Sequence, residues 1–235
     1  MSRPSHLRYL VVVQCRFNSE RLPGKAMLPL CGIPMLSFLL RRLKSGLPLD
    51  IFNIIVATTQ NREDDIIESW ALYENVEVIR GENEDVLKRF IKCLRSNPSN
   101  IVVRVTADNP LTCTKIIQNC VNFLEKNNLE YVQSHNQPYG TGVDVFLSDL
   151  LFLIDTLAVD SFEREHINAF VLKNPERFKI QPYNVEREMA RPDLRMTVDS
   201  REDWEKINEL FVTEDIEPWR ISLAEAIKRM DPSSI

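Results

Sequence analysis

Residues 9–25 read YLVVVQCRFNSERLPGK, a short apolar run that passes directly into a basic loop. The run at 9–13 is rich in Val and too short for a buried helix, so it reads as a buried strand. Three further runs, at 53–58, 76–79 and 101–105, share that Val and Ile richness. Between them, 35–44, 64–73 and 85–94 carry apolar residues at helical spacing, with Asp64 and Asp85 as favourable charges at the N-termini of the last two. Strand and helix in alternation predict right-handed βαβ units. The expected fold is α/β, a mostly parallel central sheet flanked by helices on both faces.

After Asp108 the rhythm changes. The spacing predicts a helix over 114–126, strands over 131–133 and 143–147 around a turn-rich stretch at 135–142, and helices over 148–157 and 161–172, the second capped by Ser161. Further strands are expected at 178–184 and 195–198, then a helix over 200–211 opened by a Ser200–Asp203 capping box. No linker or repeat interrupts the chain. One domain over 1–235 is expected, with an insertion-like acceptor and dimerisation region around 130–188.

With 44% hydrophobic and 27% charged residues, the 235-residue chain has the composition of a globular protein. A net charge of -5 argues against non-specific nucleic-acid binding, so an anionic ligand must be held by a local basic cluster. No apolar run approaches the roughly 20 residues needed to span a bilayer, and no signal peptide is evident. No membrane partner and a cytoplasmic location are expected. Cys15, Cys31, Cys93, Cys113 and Cys120 form no CxxC pair and read as reduced, structural thiols. His6, in an N-terminal stretch, needs no function.

The loop after the first strand, QCRFNSERLPGK at 14–25, places Arg16, Arg21 and Lys25 within ten residues of an acidic chain. Ser19 supplies a hydroxyl, and Pro23–Gly24 a sharp turn that exposes N–H groups. In open α/β sheets ligands sit beyond the carboxyl ends of the strands, where this loop begins. Such a loop can wrap a triphosphate. It matches neither the Walker pattern nor the dinucleotide turn, and a solvated basic loop is the alternative.

The loop resembles the RxxSxRLPGK signature of the CMP-sugar synthetases, most closely the spore-coat-polysaccharide type of acylneuraminate cytidylyltransferase. Further matches follow in order: CGIPML (31–36) with Arg41 and Arg42, IIVATT (54–59), VIRGENEDVLKRF (78–90), VRVTADNPL (103–111), REHINAF (164–170), NPERFKI (174–180) and RMTVDSREDW (195–204). The chain departs from the family at Cys15, Asn18 and Phe146, the last standing where an acidic residue is usual. The resemblance implies a nucleotide-diphospho-sugar-transferase (Rossmann-like) fold with CTP across the strand ends. Arg16 and Lys25 would hold the β- and γ-phosphates, with Gln14, Ser19 and Arg21 in the same nucleotide-binding loop. Thr58, Arg80, Gly81 and Asp85 would lie near the base and ribose.

Asp108 follows the strand at 101–105, and Asp199 follows the short strand at 195–198. Each suits magnesium at a strand's carboxyl end, and each has a plainer reading, a turn before Pro110 or a helix N-terminus. The resemblance implies that both are Mg2+ ligands. Arg16, Lys25 and Asp108 would then carry the chemistry, in which an acceptor hydroxyl attacks the α-phosphorus of CTP and pyrophosphate leaves. The resemblance also places the polar trio Arg164, Glu165 and His166 on the acceptor side, with a solvated helical face as the alternative for each, and implies a homodimer; Gln133 and Asp144 point towards the same region. His135 is unassigned, and the Leu150, Leu151, Leu153, Ile154, Leu157 stripe reads as core or interface.

The expected activity moves CMP from CTP to a sugar acid for surface glycan synthesis. One alternative is a nucleotidyltransferase acting on a sugar or polyol phosphate; another is a non-catalytic nucleotide-binding protein. A glycosyltransferase would want a DxD-like metal motif, which Asp108–Asn109–Pro110 does not supply.

Overall fold

The computed structural model describes residues 8–19, 21–211 and 217–231, so His6 lies outside the described residues. β1 (Tyr9–Gln14) runs into the basic loop, which ends in a two-stranded hairpin, β2 (Pro29–Leu30) and β3 (Ile33–Pro34), before α1 (Met35–Gly46). Cys31 and Gly32 take positive φ at its tip (53° and 79°), as a two-residue primed turn requires. Then come β4 (Phe52–Thr59), α2 (Asp65–Tyr73), β5 (Glu77–Gly81), α3 (Val86–Ser96) and β6 (Ile101–Thr106). These are the four strands and three helices expected from the periodicity, with ends shifted by a few residues.

The second half holds α4 (Thr114–Asn127), β7 (Tyr131–His135), β8 (Asp144–Leu147) and α5 (Ser148–Leu157). It continues with α6 (Ser161–Glu165), α7 (Ala169–Lys173), β9 (Ile180–Asn184), α8 (Arg201–Glu209) and α9 (Leu223–Met230). The sheet order is β5-β4-β1-β6-β8-β7-β9. β5, β4, β1 and β6 are parallel, β8 runs against both β6 and β7, and β9 is parallel to β7.

Strand residues alternate between the two sheet faces. Val11 and Val13 of β1 pack in the core beneath α1, α2 and α4; Leu10 and Val12 pack in the core beneath α3, α5 and α7. On β6 and β8, Val102 and Phe146 belong to that second core, but the next same-face positions are Arg104 and Asp144. Here the helical cover ends and the sheet surface turns polar.

Three expectations need correction. The helix over 161–172 is two short helices broken at His166–Asn168, and the first is capped by Asp160, which accepts from Phe162 and Glu163 N–H, not by Ser161. The strand at 195–198 reduces to a single bridge from Arg195 to Tyr139, because nothing further pairs along it. Asp64 does not cap α2. It is 2% exposed and its carboxylate turns inward to accept from Phe17 N–H, Thr59 N–H and both Thr58 and Thr59 hydroxyls. The Ser200–Asp203 capping box forms as expected. Among the described residues no helix is long and apolar enough to cross a membrane. Four of the five cysteines are buried, Cys31 is exposed, and no disulfide joins any of them.

Candidate active site

The loop after β1 is shaped by three ties. Phe17 C=O accepts from Gly24 N–H at 2.8 Å, which closes the loop on itself. Gly24 sits at φ 73°, and a Cβ there would meet the Phe17 ring at 3.0 Å, so the turn needs glycine. The third tie is the bond from Phe17 N–H to buried Asp64, which pins the loop's start to the end of β4. Burial opposes the charged form of Asp64, but its hydrogen bonds outweigh that and hold the carboxyl below its ordinary value. A depressed folded-state pKa contributes stability above the unfolded value, which is lost as pH falls. Asp64→Asn should therefore destabilise the protein at pH 7 by about 2–3 kcal/mol, the scale of a charge-assisted bond. The difference from the parent should shrink as pH drops through 4, measured by chemical denaturation. A gap unchanged down to pH 3 would contradict the ionised, pinning role.

Lys25 stands at the centre of the site. Its side chain is only 11% exposed, and its ammonium donates to Asp108 Oδ2 at 2.6 Å and Asp199 Oδ1 at 2.9 Å. The two carboxylates come together because Val198 N–H donates to Asp108 C=O at 2.8 Å, which draws the 197–199 segment against the end of β6. Neither aspartate serves the plainer purpose open to it. Asn109 builds the turn before Pro110 through Thr106 Oγ1, and Ser200 with Asp203 caps α8. Both carboxylates are left free to face Lys25.

Asp199 also takes Arg21 at 2.8 Å and Arg195 at 2.7 Å. Burial alone would raise its pKa; Lys25, Arg195 and Arg21 reverse this and hold it below the usual carboxylate range. Asp108 and Asp199 thus converge on one point, the ammonium of Lys25. No three His, Cys, Asp or Glu among the described residues form an all-protein metal cage. Two carboxylates with substrate phosphates and water fit a small hard dication, which is seldom caged by protein alone.

Two cavities meet at this point. The smaller, about 420 Å³, is lined by Gln14, Arg16, Ser19, Arg21, Lys25, Asp108, Glu165 and His166 among others. The larger, about 680 Å³, extends over β7 and β8 and takes in Gln133, His135, Gln137, Asp144 and Asn168. Arg21, Arg104, Thr106, Asp108 and His166 line both.

The expected nucleotide loop therefore comes together as a unit. Thr58, Arg80, Gly81 and Asp85 do not line either cavity. Thr58 is fully buried and bonded to Asp64; Arg80 donates to Thr59 C=O, Asn61 C=O, Asp65 and Glu68. Gly81 gives room to Arg89, whose Cγ would lie 2.8 Å from a Cβ there. Asp85 caps α3 and pairs with Arg164 at 2.6 Å.

The polar trio at 164–166 splits, because consecutive helical residues point in different directions. Arg164 turns away to Asp85 and Asp155, Glu165 pairs with Arg16 at 3.2 Å, and His166 faces both cavities. On the acceptor side Asp144, 8% exposed, accepts from Tyr131, Gln133, Asn168 and Arg104. Phe146 is a core residue whose ring tilts against Tyr131 with centroids 4.8 Å apart, so an acid there would be buried; two positions before it, Asp144 lines the larger cavity. Arg104 went unmarked in the sequence, although an arginine two positions after Val102 on the same face of an apolar strand is a readable signal. Arg42, six residues after the matched CGIPML stretch, is structural: it donates to three backbone carbonyls, of Thr112, Trp219 and Ile221.

A basic, amide-rich loop at the carboxyl ends of a parallel sheet, facing two converged carboxylates across an open cleft, defines a nucleotidyltransferase. The chain belongs to the cytidylyltransferase family, whose model matches residues 10–228, and is a CTP-dependent nucleotidyltransferase. It is similar to a cytidylyltransferase structure from Leptospira borgpetersenii serovar Hardjo-bovis, with a TM-score of 0.87 and 30% identity over 97% of this chain and 96% of that one. It is 28% identical to spore coat polysaccharide biosynthesis protein SpsF of Bacillus subtilis, over 86% of this chain and 85% of the relative. It is 31% identical to 3-deoxy-manno-octulosonate cytidylyltransferase 2 of Paraburkholderia phytofirmans, over 48% and 43% of the two chains.

Proposed function

We propose that the protein transfers CMP from magnesium-bound CTP to the anomeric hydroxyl of a sugar acid, releasing pyrophosphate, in the synthesis of a surface polysaccharide. The observation that carries this reading is the meeting of Lys25, Asp108 and Asp199 at the junction of a smaller basic cavity and a larger polar one. The names of the relatives from Bacillus subtilis and Paraburkholderia phytofirmans support the polysaccharide and the sugar acid.

CTP occupies the smaller cavity, with its β- and γ-phosphates on Arg16 and Lys25 and with Gln14, Ser19 and Arg21 along the loop. On binding, Lys25 exchanges carboxylate oxygens for phosphate oxygens, and Arg16 leaves Glu165. Asp108 and Asp199 hold magnesium, which when bound offsets the triphosphate charge and polarises the α-phosphate. The acceptor lies in the larger cavity, where Gln133, Asp144 and His166 offer bonds to its hydroxyls. Its attack on the α-phosphorus expels pyrophosphate towards Arg16 and Lys25, so catalysis is positioning plus cancellation of charge. Thr58 and Asp85 act at one remove, the first by fixing Asp64 beneath the loop and the second by capping α3. Arg80 and Gly81 order the neighbouring end of β5.

A sugar-phosphate acceptor would bring about two more negative charges and demand a second basic cluster. Arg164, Arg187 and Arg191, three of the cations that follow the Lys- and Arg-free stretch 130–160, lie outside the larger cavity. A homodimer is proposed through the exposed apolar residues Phe152, Leu153, Val159, Phe162 and Leu172 of the α5–α7 region. Sedimentation should return twice the chain mass, and a monomer at micromolar concentration would contradict it. Because CTP is a cytoplasmic nucleotide, the cytoplasm is the proposed location. The test of function is a screen of the four ribonucleoside triphosphates against sugar acids and sugar phosphates for pyrophosphate release. Release with CTP and a sugar acid is expected; release only with a sugar phosphate, or only with another triphosphate, contradicts the reading.

A further inference from the structure

We infer that Arg104 anchors the acceptor's carboxylate and so selects for a sugar acid. The inference rests on the proposed sugar-acid reading and names the cation which that reading needs. In a 2-keto sugar acid the carboxylate is attached to the same carbon as the attacking anomeric hydroxyl. Its anchor must therefore sit beside the reacting phosphorus, where the two cavities join, and not at the far end of the larger one. The arginine and lysine side chains lining both cavities, among the described residues, are Arg21 and Arg104. Arg21 belongs to the phosphate loop, is 69% exposed and is paired with Asp199.

Arg104 is built differently. It rises from β6 at the point where the parallel sheet meets its antiparallel neighbour, in register with Val12 on one side and Asp144 on the other. Its side chain is 16% exposed. Nη1 donates to Asp144 Oδ2 at 3.0 Å and Nε to Gln14 Oε1 at 3.3 Å, while Nη2 has no protein partner among the described residues. Asp144 is itself held by Tyr131, Gln133 and Asn168. The guanidinium is thus fixed on two sides and presents its third nitrogen to the cleft, a preorganised carboxylate donor. Arg164 cannot take this role, since its nitrogens are committed to Asp85, Asp155 and Ala158 C=O away from both cavities.

The test is steady-state kinetics with magnesium, CTP and 3-deoxy-manno-octulosonate or its methyl ester, on the parent, Arg104→Met and Arg104→Lys. Arg104→Met should raise the acceptor KM by about ten- to a hundredfold, as expected for a lost charge-assisted contact, and leave the KM for CTP within about twofold. Arg104→Lys should recover part of the loss. The ester, which lacks the charge, should be a poor acceptor for the parent and be used no worse by the variants. Thermal melting and CTP binding report whether each variant is folded, and the ester comparison on the parent and Arg104→Lys stands even if Arg104→Met does not fold. An acceptor KM unchanged in the variants, an equal rise in the CTP KM, or an ester used as well as the acid overturns the assignment. A parent enzyme that transfers to no sugar acid overturns the proposed function itself, a distinct result.

Discussion

Asp108→Asn and Asp199→Asn should each lower the transfer rate on the order of 10²- to 10³-fold while the protein stays folded, since a metal in such a site contributes several kcal/mol of charge stabilisation. The two should differ in kind. Asp108 is the more open carboxylate, 26% exposed and facing both cavities, and its loss should fall mainly on kcat. Asp199 is 7% exposed and holds Lys25, Arg21 and Arg195 together, so its loss should also loosen the phosphate loop and raise the KM for CTP. Asparagine keeps the volume and one acceptor oxygen, which is why the fold should survive. In both variants more magnesium should be needed for the remaining activity. Full activity of either at ordinary magnesium would remove that residue from the metal site.

Lys25→Ala and Arg16→Ala should weaken CTP far more than CMP, because their proposed partners are the two phosphates that CMP lacks. Each lost charge-assisted contact is worth about 1.5–3 kcal/mol, or roughly ten- to more than a hundredfold in affinity. Lys25→Ala should show the larger effect. Its ammonium bonds both Asp108 and Asp199, and without it the two carboxylates face each other with Arg21 and Arg195, both held on Asp199, left to offset them. Arg16 is one-third exposed and, among the described residues, pairs with Glu165 at the cavity's rim, so its removal costs a contact without disturbing the centre. Calorimetry with CTP and CMP measures this directly, and equal losses for both nucleotides would contradict the placement of these cations.

The sheet was legible where residues follow one rule of burial. Val11 and Val13 against Leu10 and Val12 need only a parallel strand with two covered faces. Asp64 was legible as a charge at the N-terminus of α2 but not as the anchor of the loop; only the tertiary fold brings Phe17 N–H and two threonines of β4 over its carboxylate. The helix over 161–172 has an apolar pattern that continues through its break, and the break at His166 depends on where that residue packs, between the two cavities. In the site, the loop cations and the two aspartates stood out through the family motifs that carry them; the residues alone left a turn or a helix N-terminus open for each aspartate, and Asp199 follows a single bridge and not a full strand. Arg164 looked equally suitable, but its partner Asp85 lies 79 residues away and no local pattern joins them. The row of Arg104, Asp144 and Gln133 across three strands, which Gln14 joins from two residues further along β1, was hidden for the same reason: each is an isolated polar residue until strand register brings them together.

The most direct measurement of the central claim is phosphorus NMR of a reaction containing the protein, magnesium, CTP and 3-deoxy-manno-octulosonate. Transfer of CMP to a sugar acid predicts free pyrophosphate together with one new phosphodiester resonance, uncoupled to any other phosphorus. A coupled pair of diphosphate resonances in the product, formed when a sugar phosphate replaces the sugar acid and absent with the acid itself, would contradict it.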